Sequence, residues 1–370
     1  MLKVLHCADI HLDTPFTSKD AQRSKAARRQ LKGAFLSLID FIKKEEIPLA
    51  LLAGDLFESS CVSAETMNLV CQAFSSVPFC SFVISCGNHD PYAPKSVYDT
   101  CEFPSNVHIF KDSELGYFDF EHINVRVYGY SFTSQKLDFC PFASFEAEDK
   151  SRINLLCGHG DIGIPTSEYC PITEKDIENT GFDYCAFGHV HQGQGLKYAG
   201  NVPYAYSGCL SGRDFGETGS KGAVLLTFDD EKKLTFEEKV FSTHNYYWET
   251  LDITGTSDSL DLRGKIRERL SGYDCASLVR IELIGSVPLE LNIDCEGLSD
   301  ELCSDVFYLE IVDSTAPLYD TAYLESDPTI VGQFYREMKA ELEKGSNEDR
   351  RIAAMALKMG INALKGENLN

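Results

Sequence analysis

The sequence predicts an α/β fold: a β-sandwich flanked by helices, then a small α+β domain and a helical C-terminal segment. Three observations carry this expectation. Apolar runs of strand type, Leu2 to Ala8, Leu49 to Ala53, Phe79 to Cys86, Ile153 to Cys157 and Tyr184 to Phe187, are separated by stretches long enough for helices or loops. Between Asn106 and Tyr130 the period changes to that of strands alone. From Trp248 the pattern starts again, with shorter strands and helices.

In chain order, Leu2 to Ala8 is the opening strand. Lys19 to Lys44 carries apolar residues at Ala27, Leu31, Ala34, Phe35, Leu38, Ile39 and Ile42, the stripe of an amphipathic helix. Its opposite face, with Arg23, Lys25, Arg28, Arg29 and Lys32, reads as solvated surface before it reads as a nucleic-acid contact. Ser63 to Phe74 is a second helix, opened by a loose capping box at Ser63 and Thr66. Val107 to Phe110, Tyr117 to Phe120 and Val125 to Tyr130 are strands. Tyr204 to Gly208, Ala223 to Phe228 and Leu234 to Val240 close the domain, the last two joined by a hairpin loop at Asp229 to Lys233. A boundary in Ser242 to Tyr247 makes residues 1–245 the first domain. Residues 246–318 form the second, with strands at Glu249 to Ile253, Ser277 to Ile284 and Val306 to Val312 and helices at Leu260 to Leu270 and Leu298 to Cys303. Residues 319–370 hold amphipathic helices at Thr329 to Leu342 and Arg350 to Leu364, around the break Lys344-Gly345-Ser346-Asn347.

At 370 residues the chain exceeds the usual size of one core. No apolar stretch approaches the roughly 20 residues needed to span a bilayer, and Met1 to Leu5 runs into the first strand without a signal-peptide layout. A cytoplasmic protein without membrane association is expected. The 14 cysteines include Cys7, Cys86, Cys157 and Cys185 inside apolar runs and form no CxxC pair, which reads as reduced thiols packing as small hydrophobes. With 57 acidic against 34 basic residues the net charge is −23, the reverse of the basic footprint that neutralises phosphates. Any grip on nucleic acid must therefore be local, metal-centred or supplied by a partner. The sequence has no Walker A loop and no Gly-x-Ser-x-Gly elbow, which argues against P-loop ATP hydrolysis and acyl transfer.

Five short blocks follow the apolar runs: Asp9-Ile10-His11, Gly54-Asp55, Gly87-Asn88-His89-Asp90, Gly158-His159-Gly160 and Gly188-His189-Val190-His191. All five would emerge at the ends of strands in one sheet, where open α/β sheets bind ligands. Residues two apart on extended chain point the same way, so Asp9 with His11, and His189 with His191, can reach a common centre. The donor types are those of a two-metal site. His6, His108, His122 and His244 lie outside the blocks and read as structural.

In this order the blocks resemble the calcineurin-like metallophosphoesterase family. The wording of His6 to Asp13, Gly54 to Phe57 and Gly87 to Pro91 is similar to the SbcD-like DNA-repair exonucleases, the YhaO-like subgroup in particular, with a weaker match through Ser207 to Gly222 and into the C-terminal third. The resemblance implies a metallophosphoesterase β-sandwich with a small capping domain, and two divalent metals about 3.5–4 Å apart. It places Asp9, His11 and His191 around one metal, Asn88, His159 and His189 around the other, and Asp55 as a bridge. Imidazole, amide and carboxylate donors without thiolate suit manganese, the family's usual activating ion, or iron, with magnesium a further candidate. His89 is implied as a hydrogen-bond or proton donor to the phosphate or leaving group, with Asp90 orienting and charging it. Asp13 and Glu58 flank the blocks, either supporting ligands or standing on the substrate side, or else simply capping loops.

The function so implied is that of a manganese-dependent DNA exonuclease or endonuclease in DNA repair or processing, hydrolysing phosphodiesters with a metal-activated water. The alternatives are a phosphodiesterase on nucleotides or small phosphoesters, and a non-catalytic, metal-bearing scaffold for an SbcC-like ATPase. Arg213, in Ser211-Gly212-Arg213-Asp214-Phe215-Gly216-Glu217, is a candidate to fork onto a substrate phosphate, set against a salt bridge to Asp214 or Glu217. The implied partners are DNA, held weakly by the isolated chain, an SbcC-like ATPase and a second copy of this chain. The ATPase would dock the C-terminal helices through exposed Ile330, Phe334, Met338, Ile352, Met355 and Leu357, set equally against packing of these positions on the capping domain.

Overall fold

The computed structural model describes residues 1–16, 21–59, 62–288, 291–318, 321–342, 344 and 346–365. They belong to two compact units, Met1–Asn245 and Tyr246–Asn370. Lys19 and Asp20 of the expected first helix, and Gly345 of the expected break, lie outside the described residues.

The strands of the first unit are β1 (Leu2–Cys7), β2 (Leu49–Ala53), β3 (Ser81–Ser85), β4 (Val107–Ile109), β5 (Gly116–Phe120), β6 (Val125–Gly129), β7 (Ile153–His159), β8 (Asp161–Ile162), β9 (Pro171–Ile172), β10 (Tyr184–Gly188), β11 (Lys197–Ala199), β12 (Val202–Tyr206), β13 (Gly222–Phe228) and β14 (Leu234–Val240). Its helices are α1 (Ala21–Glu45), α2 (Ala64–Ser75), α3 (Val97–Thr100) and α4 (Glu174–Glu178). Two six-stranded sheets result, ordered β14-β13-β1-β2-β3-β4 and β11-β12-β10-β7-β6-β5. This corrects the single sheet expected for the five blocks. The first three follow β1, β2 and β3 of one sheet, and the last two follow β7 and β10 of the other. Within each set the strands pair in parallel, so their C-terminal ends lie side by side.

Alternation along the strands builds the layers. Leu5, Cys7, Ala50, Leu52, Phe82 and Ile84 face the side covered by Leu31, Phe35, Leu38 and Ile42 of α1 and Val70 and Phe74 of α2. Val4, Leu49, Leu51, Ala53 and Val83 face the opposite sheet and meet Val127, Leu155, Cys157, Tyr184 and Ala186. Ser63 caps α2 by accepting from the Thr66 N–H, and Asp13 accepts from the Ser63 N–H and the Thr66 hydroxyl, so Asp13 fastens this helix start. All 13 described cysteines are free thiols, with Cys7, Cys86, Cys157 and Cys185 buried.

His6 is fully buried between the sheets, its Nδ1 2.9 Å from the Tyr184 hydroxyl and its Nε2 3.2 Å from the Phe187 carbonyl oxygen. Burial pushes its imidazole down to about 3 from 6.5, against the pull of that carbonyl. The unfolded chain takes up this proton below about 6.5 and the folded chain does not until about 3. The stability involved is therefore fully present above the upper value and is lost as pH falls through the window. Denaturant titrations should show stability falling with acidity by up to about 1.4 kcal/mol per pH unit from this group. His6→Gln should flatten the profile by about one proton, and an unchanged slope in that variant would remove His6 from the account.

The second unit contains all but the first residue of β15 (Asn245–Asp252), then α5 (Ser259–Leu270), β16 (Ser277–Ile284), β17 (Ser286–Pro288), α6 (Cys295–Leu302), β18 (Tyr308–Asp313), β19 (Ala316–Leu318), α7 (Thr321–Ser326), α8 (Ile330–Leu342) and α9 (Asn347–Lys365). A three-stranded sheet, β15-β16-β18, packs Val279, Ile281, Leu309 and Ile311 with Leu262, Ile266 and Leu270 of α5 and Leu298 and Leu302 of α6. Of the apolar positions expected to be exposed on the last helices, Ile330, Ile352 and Met355 are exposed and Phe334 and Met338 are partly packed. Leu357 is buried against Leu324, Tyr335 and Ile361, because the period of α9 turns it toward α8. Among the described residues no helix is long and apolar enough to cross a membrane.

Candidate metal centre

The five blocks meet where the strand ends of the two sheets converge. Beyond β1 and β2 the chain continues to pair: Asp9 N–H donates to the Gly54 carbonyl, His11 N–H to that of Asp55, Leu12 N–H to that of Leu56 and Glu58 N–H to that of Leu12. This ladder sets His11 beside Asp55. Asp9, His11, Asp55 and His189 all adopt positive φ, of 49°, 51°, 51° and 104°. Such conformations cost of order 1–3 kcal/mol each and cluster at functional sites.

The glycines of the blocks are required by close approach. A Cβ on Gly54 would lie 2.1 Å from His159 Nδ1, and one on Gly87 would lie 2.1 Å from Asp55 Oδ1. Either would displace a donor.

Asp9, His11, Asp55 and His159 are buried and His189 and His191 partly buried. His11 Nε2 is 3.2 Å from His191 Nε2, which is 3.7 Å from Asp9 Oδ1. Asn88 Oδ1 is 3.0 Å from His159 Nε2 and 3.2 Å from His189 Nδ1. Asp55 Oδ2 lies between these groups, 3.7 Å from His11 Nε2 and 3.4 Å from His159 Nε2. Asp9, His11 and His191, and separately Asp9, Asp55 and His159, converge closely enough to hold an ion.

Hydrogen positions decide whether a cation fits. His159 Nδ1 donates to the Ala53 carbonyl at 2.9 Å, which leaves Nε2 a bare lone pair; burial lowers its pKa to about 4 and keeps it neutral. His191 Nδ1 is 2.6 Å from Glu217 Oε1, which can only accept, so the hydrogen sits on Nδ1 and Nε2 again faces inward bare. His189 Nε2 is 3.5 Å from Asp161 Oδ1 and His11 Nδ1 is 3.1 Å from Glu58 Oε2, so each ring has a carboxylate on its outer side. With the hydrogens of His11 and His189 on these outer nitrogens, lone pairs of imidazole, carboxylate and amide oxygen face one another with no hydrogen between them. That is repulsive unless cations sit among them, and the residues fit divalent ions.

His89 sits at the rim. Its Nδ1 is 3.5 Å from Glu58 Oε1, and this contact raises its pKa to about 9. Asp90 does not take the role expected of it. Its Oδ1 accepts from Gly87 N–H and its Oδ2 from Phe57 N–H and the Tyr98 hydroxyl, so the buried carboxylate ties the 87–90 turn to its surroundings. Two backbone N–H groups and a buried phenol leave Asp90 committed to the turn, and Glu58 supplies the carboxylate beside His89. Arg213 forks onto Glu217 and Glu58, with Nη2 2.9 Å from Glu217 Oε1 and Nη1 2.9 Å from Glu58 Oε2. Asp161 and Glu217 join the site without having been expected there. Their only sequence signals are a position two after His159 and a place in the loop of Arg213.

The sequence profile of the calcineurin-like phosphoesterase family matches residues 2–193. The chain is 28% identical over 315 residues to the metallophosphoesterase YhaO of Bacillus subtilis, covering 81% of this chain and 76% of that protein. It is 24% identical over 265 residues to the SbcD component of the SbcCD nuclease of Staphylococcus epidermidis, covering 63% of this chain and 68% of the relative. Among solved structures, a dimetal phosphatase from Danio rerio aligns with a TM-score of 0.44 at 8% identity, covering 65% of this chain and 96% of the other.

Proposed function

Because this chain belongs to the calcineurin-like phosphoesterase family, we propose that it is a manganese-dependent DNA nuclease, cutting phosphodiester bonds as an exonuclease or endonuclease in DNA repair or processing. The observation that carries the reading is the gradient of exposure across the cluster. The side chains of His11 and His159 are 0% exposed, His189 and His191 20% and 26%, and His89 41%, so the residue read as proton donor is the one that meets solvent and substrate. DNA as the substrate is supported by similarity to a component of a nuclease.

In this mechanism Asp9, His11 and His191 would hold one divalent ion, Asn88, His159 and His189 a second, and Asp55 both. When bound, the pair supplies a nucleophile at neutral pH and offsets charge on the phosphate oxygens. The chain's own work is orientation and proton handling. The Ala53 carbonyl and Glu217 hold the outer nitrogens of His159 and His191, and Asp161 and Glu58 stand beside those of His189 and His11, so the donors need little rearrangement. His89, protonated beside Glu58, would give its hydrogen to the phosphate or the leaving oxygen.

A second reading, a phosphodiesterase on nucleotides or other small phosphoesters, is favoured by the net charge of −23, which repels a long polyanion. An SbcC-like ATPase docked on the C-terminal helices would supply the basic surface that the first reading needs. Turnover of bis-p-nitrophenyl phosphate and of labelled single-stranded and duplex DNA, with and without manganese, separates the possibilities. The nuclease reading expects manganese-dependent cleavage of both substrate kinds. Cleavage of the small ester alone moves the assignment to the second reading, and no turnover of either leaves a scaffold.

A further inference from the structure

We propose that Glu217, clamped by Arg213, is a positioning residue for His191, and that Arg213 serves the metal-holding side chains rather than the substrate. This rests on the two-metal reading above. The Glu217 carboxylate takes the Nδ1 hydrogen of His191 at 2.6 Å and so turns Nε2 toward Asp9 and His11. Its own place is set by Arg213, whose backbone N–H donates to Oε2 at 2.8 Å while Nη2 donates to Oε1 at 2.9 Å. Arg213 Nη2 also lies 3.0 Å from His191 Nδ1, but its hydrogen goes to the carboxylate, because that ring nitrogen already carries one.

The same guanidinium reaches a second carboxylate. Nη1 donates to Glu58 Oε2 at 2.9 Å, and that oxygen lies 3.1 Å from His11 Nδ1 and accepts from the Thr14 hydroxyl at 3.0 Å. One arginine thus locks two carboxylates, each set against the outer nitrogen of one of the two histidines that face Asp9. Arg213 and Glu217 are 16% and 11% exposed, so the pair is little screened by solvent. A phosphate would have to displace one of two carboxylates from a fork that already fits them, which argues against a direct role in binding substrate. Loss of an outer partner of a metal-holding histidine typically costs 10–100-fold in metal affinity.

The test compares wild type with Glu217→Gln, Glu217→Ala and Arg213→Lys. Manganese is titrated into each metal-free protein and free Mn²⁺ is read by its electron paramagnetic resonance signal. Wild type should bind two equivalents. Glu217→Ala should weaken one of them by about 10–100-fold and leave the other in place. Glu217→Gln should recover part of the loss, because its amide oxygen still accepts the Nδ1 hydrogen. Arg213→Lys should also weaken one equivalent and raise the manganese needed for half-maximal turnover, with KM for bis-p-nitrophenyl phosphate within about threefold at saturating metal. If Glu217→Ala does not fold by circular dichroism, the glutamine and lysine variants decide. Wild-type manganese affinity in the variants that fold, or a raised KM with unaltered metal affinity in Arg213→Lys, overturns the proposal while the two-metal reading stands. Fewer than two equivalents in wild type overturns both.

Discussion

Asp55→Asn should empty both metal positions at once, whereas Asp9→Asn should weaken chiefly one. Asp55 Oδ2 stands within 3.7 Å of one ring nitrogen from each ligand group, and its other oxygen accepts the His89 N–H at 3.0 Å. Two unit charges at about 4 Å repel by roughly 4 kcal/mol at an effective dielectric constant near 20, and two dications by about four times as much. A bridging carboxylate is the group that offsets this repulsion. An asparagine keeps the shape but loses the charge and turns one acceptor into a donor, directed at a cation or at the His89 N–H. Asp9 converges with both groups but lies closer to the first, with His191 Nε2 at 3.7 Å, while both its oxygens accept the His189 backbone N–H at 3.1 Å. Elemental analysis after dialysis against dilute manganese reads the result, with a thermal melt to show that each variant folds. Two full equivalents in Asp55→Asn would contradict the bridging assignment, and loss of both from Asp9→Asn would merge the two positions into one.

The second large effect separates chemistry from metal holding. His89→Gln should keep two metal equivalents and lose turnover by about 10²–10⁴-fold, the range for a general acid or base. His89 is outside the inward-facing set. Its Nδ1 turns to Glu58, and its ring meets His11 edge to face with centroids 4.9 Å apart. Glutamine can still donate a hydrogen bond but cannot pass a proton at neutral pH, so binding should survive better than turnover. Comparing kcat with KM on bis-p-nitrophenyl phosphate, beside the metal content, makes the distinction. Metal loss would make His89 a ligand, and near-normal kcat would make it a bystander.

The positions of the donors were legible because each is written as a short word after a strand. Gly54-Asp55 and Gly87-Asn88-His89-Asp90 keep their glycines for a steric reason, the approach of His159 to one and of Asp55 to the other. The division into two sheets was not legible. The five residues of β2 and the seven of β7 are buried throughout, so neither shows the alternation that would tell which layer lies on which side. Asp90 misled because adjacency to His89 looks like contact, whereas its carboxylate answers the Gly87 N–H of its own tight turn and the Phe57 N–H of the neighbouring segment. In the sequence Glu217 reads only as a salt-bridge partner, since its contact to His191 spans 26 residues and no local periodicity reports such a pairing. In the second unit β17 and β19, of three residues each, are too short to show a period, and they pair across a segment that holds α6 and β18.

The ladder that runs past the ends of β1 and β2 anchors Asp9, His11 and Asp55 to their strands. At the other end of the same layer, Leu2 is paired with Phe228 and the turn from Asp229 to Lys233 reverses the chain. Spacing along the sequence and spacing in the cluster are thereby uncoupled. Residues can be gained or lost in that turn, or a reporter grafted there, a whole strand length from Asp9. Tolerance to length change should thus be graded along each strand, generous at its start and nil at its finish, and the gaps between blocks are free to drift while the blocks themselves are not.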